Sequence, residues 1–305
     1  MLIWLALAVT VVLWFASAPY RGANLSFYFS LMMWVTMASA LNFIAGFTGY
    51  MPFGYVAFFG VGSYTTAILV KFVGWSTLVA VPAAGCAGVA LGLLFAPTLR
   101  LKGIYFAVVS LALAVICQRI VGLLPEDVTG GSLGINLGSS GIREHAFFAM
   151  LLTMCLVLAT ATWLARSRLG KALRAIRDDS EAADAMGVNV PRSRLYAWML
   201  AAFFPALCGG IQALFTGAID VLTAFDVFVT AKTVIYAMAG GLGTVTGPVV
   251  GTIVLVWVDD LIWREWPVLS NFLLGLTIVA LILFLPRGLI GTLLQRHPKS
   301  RRYLM

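Results

Sequence analysis

Long apolar segments alternate with short polar ones along almost the whole chain. Most are close to the roughly 20 residues that a helix needs to cross a bilayer. The pattern predicts ten crossing helices, the shortest at 226–240, at about residues 1–18, 25–45, 54–70, 76–99, 104–124, 146–165, 195–219, 226–240, 244–262 and 268–285. Residues 1–18 end in Ala-Ser-Ala but lack the basic start of a signal peptide, so we interpret them as an uncleaved first span.

The composition supports this pattern. The chain is 61% hydrophobic and 10% charged, and its mean hydropathy is +0.99, far from the balance of a soluble domain. We predict an all-α polytopic membrane protein, a single transmembrane domain over 1–305 with about ten helices, in a range of about eight to eleven. The net charge of +8 does not indicate nucleic-acid binding, because the cations are collected in a few loops.

The positions of the basic residues set the predicted orientation, since Lys- and Arg-rich loops stay in the cytoplasm. With the N-terminus inside and ten alternating crossings, most of the 20 basic residues fall on the cytoplasmic side, at 100–102, 166–194 and in a basic tail at 287–305. Without a separate crossing at 226–240, that tail would fall outside. Both termini are therefore predicted to be cytoplasmic.

The longest polar stretch is RSRLGKALRAIRDDSEAADAMGVNVPRSR, residues 166–194. Small and apolar residues recur in it at three- and four-residue steps, which is the spacing of one helix face. These residues are Leu169, Leu173, Ile176, Ser180, Ala183 and Gly187. The stretch could be a solvated loop helix that only fixes topology, or a helix that docks a soluble cytoplasmic partner. The loop alone leaves both interpretations open.

Two glycine-rich breaks interrupt the apolar pattern, GFTGYMPFG at 46–54 and GGLGTVTGP at 240–248. Unpaired backbone groups are tolerated in a membrane only where protein or water satisfies them. Broken helices can therefore hold a polar or zwitterionic solute at their free N–H and C=O ends. The alternative is that these glycines permit tight helix crossings or form plain turns. Close packing is the simpler explanation for Gly60, Gly62, Gly85, Gly88 and Gly92.

The spans carry little chemistry of their own. Arg119 is the one ionisable residue that we expect inside a span, which argues against a carrier coupled to protons or sodium. The four cysteines, Cys86, Cys117, Cys155 and Cys208, stand alone in apolar runs without metal-ligand spacing. There is no P-loop and no nucleophile–base pair. We predict that the chain is not an enzyme and that any energy source lies on another protein.

Six stretches, in order, resemble the LivM-type permease subunit of bacterial ABC importers for branched-chain amino acids. They are GFTGYMPFGYVAFFGVGSYTTAIL (46–69), RLKGIYFAVVSLALA (100–114), VTGGSLGI (128–135), SRLGKALRAIRDDSEAADAMGVN (167–189), AGGLGTVTGPVVG (239–251) and LPRGLIG (285–291). The resemblance implies a fold similar to the membrane subunit of cobalamin importers, with ten helices and a coupling helix in the 166–194 loop.

The same resemblance implies the partners. They are a second permease subunit (LivH-type or a second copy), two cytoplasmic ATPase subunits that use ATP and Mg, and a periplasmic solute-binding protein. The chain itself is expected to bind no cofactor and no metal, and to lie among lipid in the bacterial inner membrane. The implied solute is a branched-chain or other small amino acid. Urea, short amides and aromatic acids remain alternatives within the family, and a passive channel or a membrane scaffold are alternatives from other classes.

Two departures concern the solute. The family commonly has a histidine after the first glycine turn, where this chain reads Pro52-Phe53-Gly54-Tyr55. A polar or acidic residue is frequent after the TGGS turn, where this chain has Leu133. Both positions could touch the solute path, so they leave the identity of the substrate open.

Three groups of site residues are predicted. The solute path at or below mid-membrane is expected to use Asn42, Gly46, Thr48, Gly49, Tyr55, Gly240, Gly241, Gly243 and Thr244. Coupling to the ATPase is assigned to Lys171, Ala172, Leu173, Arg174, Ile176, Arg177, Asp178, Glu181, Ala183 and Gly187. We expect Leu173 and Ile176 to fill a groove of the ATPase. Arg174–Asp178 and Arg177–Glu181 would be i,i+4 pairs of one helix. Asp220 and Asp226, in outer loops, are candidate contacts for the binding protein.

Overall fold

The computed structural model describes residues 24–265, with gaps at 102, 132–133 and 139–141, and isolated positions 15, 17, 19 and 275–276. The predicted spans at 1–18 and 268–285 therefore lie outside the described residues, apart from those isolated positions. The basic tail at 287–305 and Leu133 also lie outside them.

The described chain is mostly helical. In chain order its elements are α1 Leu25–Thr48, α2 Val56–Lys71, α3 Thr77–Leu94, a 3-10 helix Ala96–Arg100, α4 Ile104–Leu123, α5 Glu126–Thr129, β1 Ile135–Asn136, α6 Ile142–Arg166, α7 Arg168–Asp178, α8 Ser180–Ala185, α9 Val190–Thr216, β2 Ala218–Ile219, α10 Val221–Ala224, α11 Val227–Gly240 and α12 Thr246–Glu265. The two short strands pair antiparallel, Ile135 opposite Ile219 and Asn136 opposite Ala218.

Six of the described helical segments are long and apolar enough to cross a membrane: Leu25–Thr48, Thr77–Leu94, Ile104–Leu123, Arg143–Arg166, Val190–Thr216 and Val221–Gly240. The helix α2, with 16 residues, is a shorter apolar one. Each span predicted between residues 24 and 265 coincides with a helix. The prediction of a multi-pass helical membrane protein is therefore confirmed, whereas the total of ten crossings stays a prediction.

The helix boundaries differ from the predicted ones for local reasons. The helix α9 begins at Val190, five residues before the predicted start, because the Asn189 side chain accepts a hydrogen bond from the backbone N–H of Arg192 at 3.1 Å. Pro191 occupies the first turn, where no backbone donor is needed. The helix α3 ends at Leu94, and the 3-10 helix that follows has a proline in its first turn.

The core is built around α1 and α9, which are buried over most of their length. The helix α9 packs against α1, α2, α3 and α6. Its crossing with α2 is very close, because a Cβ at Gly62 would overlap the carbonyl oxygen of Ala206 and one at Gly209 would overlap that of Phe59. Gly88 of α3 likewise lies against Ala206. These contacts confirm the close-packing interpretation of Gly62 and Gly88.

The periphery consists of apolar side chains that no described residue covers. Leu78 of α3 and Leu123 of α4 are each 85% exposed, and Ile104 of α4 is 76% exposed. Exposed apolar faces of this extent mark contact with lipid or with another membrane chain. They account for the low burial of α3 and α4 compared with α1 and α9.

The bundle has two ends, which are named here by their characteristic residues. At the α7 end lie the C-terminal part of α1, the turn between α11 and α12, and the helix α7, which packs on α1, α6 and α9. At the Arg143 end lie the first turns of α1 and α6 and the last turn of α9. Ser26 and Gly46, which mark these ends on α1, are about 30 Å apart at the rise of an α-helix.

Candidate functional site

The two glycine-rich breaks, which are about 200 residues apart in sequence, are in direct contact. The Asn42 amide nitrogen donates to the Thr244 carbonyl at 2.8 Å, and the Gly243 N–H donates to the Asn42 carbonyl oxygen at 2.7 Å. A Cβ at Gly46 would lie 2.6 Å from the Gly243 nitrogen. We call these four residues the glycine junction. It is a packed contact in which one buried side chain satisfies two backbone groups.

The turn between α11 and α12 has a defined shape. Gly243 has a φ of +85°, which favours glycine. The Thr244 hydroxyl donates to the Gly241 carbonyl at 3.0 Å and accepts from the Gly247 N–H at 3.0 Å, so that it caps the start of α12. Gly240 packs against Gly247 and Gly251, where a side chain would not fit. The backbone here is therefore held by local hydrogen bonds and by close approach.

Arg177 of α7 connects the polar loop to this junction. Its Nη1 donates to the Gly46 carbonyl at 2.6 Å. A Cβ at Gly243 would overlap the same nitrogen and would lie 3.1 Å from the Gly46 oxygen. The Gly46 carbonyl belongs to the last turn of α1, where the helix dipole favours a cation. The guanidinium is thus seated against both glycine breaks at once.

The apolar face of α7 is used inside the chain. Leu173 is fully buried, and Ile176 and Ala183 are nearly so; all three belong to the main core cluster. The prediction that Leu173 and Ile176 fill a groove of a partner is therefore wrong, because these side chains already pack against their own bundle. The exposed residues of α7 and α8 include Lys171, Asp178 and Glu181, and the exposed Met186 follows α8. Arg177 is also largely exposed, although its guanidinium reaches Gly46.

The single coupling helix predicted in the 166–194 loop is divided into α7 and α8. Asp179 has an extended backbone, and its carboxylate accepts from the N–H groups of Glu181 at 2.8 Å and Ala182 at 3.1 Å. This cap starts a new helix, so Arg177 and Glu181 are not neighbours on one helix. Arg174 turns away from Asp178 and donates to the carbonyls of Ala165 and Gly170 instead. Arg177 and Glu181 therefore lie on different helices, which corrects that expectation, whereas Arg174 and Asp178 both lie on α7 as expected.

The other predicted path residues have separate surroundings. The Thr48 hydroxyl donates to the Ile44 carbonyl at 2.6 Å within α1. Gly49, with a φ of +79°, ends that helix and lies near the Arg177 side chain. Tyr55 is buried beside Phe58 and takes no part in the hydrogen bonds of the junction. The structure therefore brings Asn42, Gly46, Gly243 and Thr244 together and leaves Tyr55 apart.

Sequence reasoning missed an ion pair between two helices. Lys232 of α11 and Asp259 of α12 lie 2.9 Å apart, with side chains 25% and 18% exposed. The Tyr236 hydroxyl donates to the same carboxylate oxygen at 3.3 Å. The expectation that Arg119 alone lies inside a span is therefore wrong. The sequence could have shown another ionisable residue inside a span, because Asp259 falls within the predicted segment 244–262.

Asp220 and Asp226 act as helix caps in this chain. The Asp220 carboxylate accepts from the N–H and the hydroxyl of Thr223, at 2.9 and 2.8 Å. The Asp226 carboxylate accepts from the Phe228 N–H at 2.9 Å at the start of α11. These hydrogen bonds give both carboxylates a structural role within the chain itself. Their contact with a binding protein stays a prediction.

The Arg143 end contains an open cavity of 390 Å³ between α1, α6 and α9. Arg143 donates to the Ser26 hydroxyl at 3.1 Å, and its guanidinium lies 4.6 Å above the ring of Phe215. That ring stacks on Phe29 at 3.7 Å. The sequence pattern assigned no role to Arg143.

The comparisons with known proteins agree with this architecture. The family model for the branched-chain amino acid transport system / permease component matches residues 24–282. The high-affinity branched-chain amino acid transport system permease protein LivM of Salmonella typhimurium is 28% identical over 85% of this chain and 68% of that protein, and LivM of Escherichia coli K12 gives the same values. LivH of Salmonella typhimurium is 24% identical over 92% of this chain and 96% of that protein.

No solved structure gives a significant match. The match to the family model extends from the start of α1 beyond the end of α12 and includes both glycine breaks and the polar loop. Members of this family are transport subunits and not enzymes. The chain therefore belongs to the branched-chain amino acid transport system permease family and is a LivM-type multi-pass membrane permease.

Proposed function

We propose that this permease is the membrane subunit of an ABC importer that carries branched-chain or other small amino acids. The energy would come from two cytoplasmic ATPase subunits that bind ATP and Mg, while this chain would bind no cofactor. The similar proteins LivM and LivH, which are branched-chain amino acid transport permeases, support this solute class. A second permease subunit of LivH type or a second copy, and a periplasmic binding protein, would complete the complex in the bacterial inner membrane.

The observation that carries the proposal is the hydrogen bond from Arg177 to Gly46. It links a surface helix to the contact between the two broken helices. The helix α7 is held by its buried residues Leu173 and Ile176, so a force on its exposed side would be transmitted to the bundle. A coupling helix must transmit force in this way if ATP hydrolysis is to open and close the solute path.

The docking face for the ATPase would be the exposed side of α7 and α8. Of the ten residues assigned to coupling, five are exposed: Lys171, Arg177, Asp178, Glu181 and Gly187. Ala172 and Arg174 are half-buried. Met186, 85% exposed at the end of α8, adds an apolar contact of the kind that fills a pocket on a partner. The buried face would anchor the loop, and the charged face would set its register.

The glycine junction would act as the gate at this end of the solute path. Its contacts are few and specific, and each involves a backbone group that a zwitterionic solute could also bind. A movement of Arg177 away from Gly46 would remove the bond that holds the end of α1 against the turn at Gly243. The path would then open toward the side on which the ATPase sits.

The test is uptake of radiolabelled leucine by the co-purified complex in proteoliposomes, with and without internal ATP. An importer accumulates leucine only with ATP. Equal ATP-independent flux would instead indicate a passive channel. Competition by urea, short amides and aromatic acids would show which solute class the path accepts, and failure of leucine to be transported while one of these is would reassign the substrate.

Arg177→Gln tests the coupling itself. We expect ATP-driven uptake per retained ATPase to fall by about tenfold, the cost of losing one hydrogen bond to a charged donor. Arg192→Gln, which changes another exposed arginine of the same loop, is the matched control and should leave uptake unchanged. Undiminished uptake by Arg177→Gln would remove the proposed link.

A further inference from the structure

The cavity at the Arg143 end has the size and lining of a small-molecule site. Its 390 Å³ fall within the range of ligand pockets. Three helices contribute to it, with Ser26, Phe29 and Ser30 from α1, Arg143 from α6, and Gln212, Leu214, Phe215 and Thr216 from α9. It is separated from the glycine junction by most of the length of α1. None of its described lining residues is acidic.

Arg143 supplies a cation that none of the described lining residues neutralises. Its guanidinium has five N–H donors, of which one is committed to the Ser26 hydroxyl. The ring of Phe215 lies beneath it at 4.6 Å, and the stack of Phe215 on Phe29 fixes that ring. A planar guanidinium held in this way can bind a carboxylate through two parallel hydrogen bonds.

Gln212 adds a second polar group. Its side-chain oxygen is enclosed and has no hydrogen-bond partner among the described residues. No described contact therefore fixes the orientation of this amide, and a half-turn about its last torsion exchanges its oxygen and nitrogen within the cavity wall. In the exchanged orientation the oxygen would accept a hydrogen bond from an ammonium group.

We propose that this cavity binds a small α-amino acid as it enters the permease, with Arg143 on the carboxylate, Gln212 near the ammonium group and the Phe29–Phe215 stack beside the apolar side chain. The proposal rests on the proposed function and sharpens it. Urea and short amides lack the carboxylate, so the site would favour amino acids over these alternatives within the family. An uncompensated Arg143 would also attract the anionic end of the solute first.

The experiment uses the purified complex carrying Ser30→Cys, since Ser30 lines the cavity and is half-buried. The new thiol is labelled with an anionic, membrane-impermeant methanethiosulfonate, and the rate is measured with increasing leucine, leucinamide or urea. We expect saturating leucine to slow labelling at least fivefold, and leucinamide and urea to have little effect. The complex without Ser30→Cys gives the background from the native cysteines.

Arg143→Gln in the same background should raise the leucine concentration that gives half protection by about tenfold, because a hydrogen-bonded ion pair is lost. Arg143→Lys, which keeps the charge, should restore part of the protection. The matched control is Arg119→Gln, which removes an exposed arginine of α4 that does not line the cavity. Its protection curve should match that of the unaltered complex.

Equal protection by leucine and leucinamide, or an unchanged curve for Arg143→Gln, would overturn the proposal. ATP-driven uptake of leucine, measured on the same preparation, separates this failure from failure of the proposed function. Uptake without protection would leave the importer intact and remove the site. Protection without ATP-driven uptake would keep the site and remove the importer.

Discussion

The two ends of the bundle differ in how their polar groups are satisfied. At the α7 end, the Asn42 amide donates to the Thr244 carbonyl and accepts from the Gly243 N–H, and Arg177 donates to the Gly46 carbonyl. At the Arg143 end, a cavity of 390 Å³ lies between α1, α6 and α9, and the Gln212 oxygen has no described partner. One end is held by direct contacts and the other contains open volume.

This difference is the one expected for a single state of an alternating-access bundle. The hydrogen bonds of the closed end contribute about 1 kcal/mol each, and the charged one somewhat more. Their sum is comparable to the coupling free energies of 1–3 kcal/mol that are typical between allosteric sites, by order of magnitude. In the proposed importer, the junction would therefore be strong enough to hold one state and weak enough for a partner to open it.

The largest effect is expected at Leu173, which anchors α7 to the bundle at the α7 end. Leu173→Asp places a charge at a fully buried position, which costs several kcal/mol. The variant should lose its folded form in detergent, seen as a loss of the monodisperse peak in fluorescence-detected size exclusion. If Leu173 instead lay on the surface to fill a groove of the ATPase, the variant would remain folded.

Met186→Asp, on the same loop but 85% exposed, is the control for Leu173→Asp. It should remain folded with its thermal midpoint unchanged, and it should reduce retention of the ATPase. Similar stability of both variants would contradict the burial of the α7 face.

The second effect compares two glycines with the same backbone conformation. Gly243→Ala and Gly74→Ala both place a side chain at a positive φ, +85° and +74°. Only at Gly243 would the new Cβ overlap Arg177, whereas at Gly74 it meets open space. Uptake should fall at least tenfold for Gly243→Ala and stay near normal for Gly74→Ala. Equal losses would mean that backbone strain, and not the junction, controls transport.

The third effect tests the amide that joins the breaks. Asn42→Ala leaves two enclosed backbone groups without their partner, at a cost of about 1–3 kcal/mol each if they stay buried. The thermal midpoint of the complex should fall by several degrees. Ser39→Ala is the matched control, because the hydroxyl of Ser39 is buried on the same helix without a described partner. A neutral Asn42→Ala would show that water replaces both bonds.

The smallest effect is expected at Asp226, at the start of α11. Asp226→Ala removes the cap of α11 and should destabilise the protein by about 1 kcal/mol, while Asp226→Asn should cost less, because an amide oxygen can also accept the N–H. Thermal unfolding of the purified complex provides the measurement. Docking of the binding protein to Asp226→Asn, followed against salt, separates the cap from a contact. Unchanged docking would leave Asp226 with its structural role alone.

Sequence patterns predicted the elements better than their contacts. The apolar runs located the eight helices between residues 24 and 265 that were predicted as spans, because length and hydropathy suffice for that. The spacing of Leu173 and Ile176 correctly indicated an apolar face, but spacing does not show whether the chain itself or a partner covers it. The pairing of Asn42 with Gly243 joins residues about 200 apart, and no local pattern encodes such a contact. Glycine composition identified both sides of the junction without showing that they meet.

The helices α2 and α11 are short, with 16 and 14 residues, and correspond to about 24 and 21 Å. They touch, since the Thr230 hydroxyl of α11 accepts from the Val56 N–H at the start of α2 at 2.9 Å. The hydrocarbon layer is about 30 Å thick. The helix α11 reaches the length of a membrane span only together with α10, as Val221–Gly240. Where α2 and α11 alone face the bilayer, a thinner bilayer or entering water would meet the hydrophobic mismatch. In the proposed importer, a solute that passed there would cross a shorter dielectric barrier than the membrane itself presents.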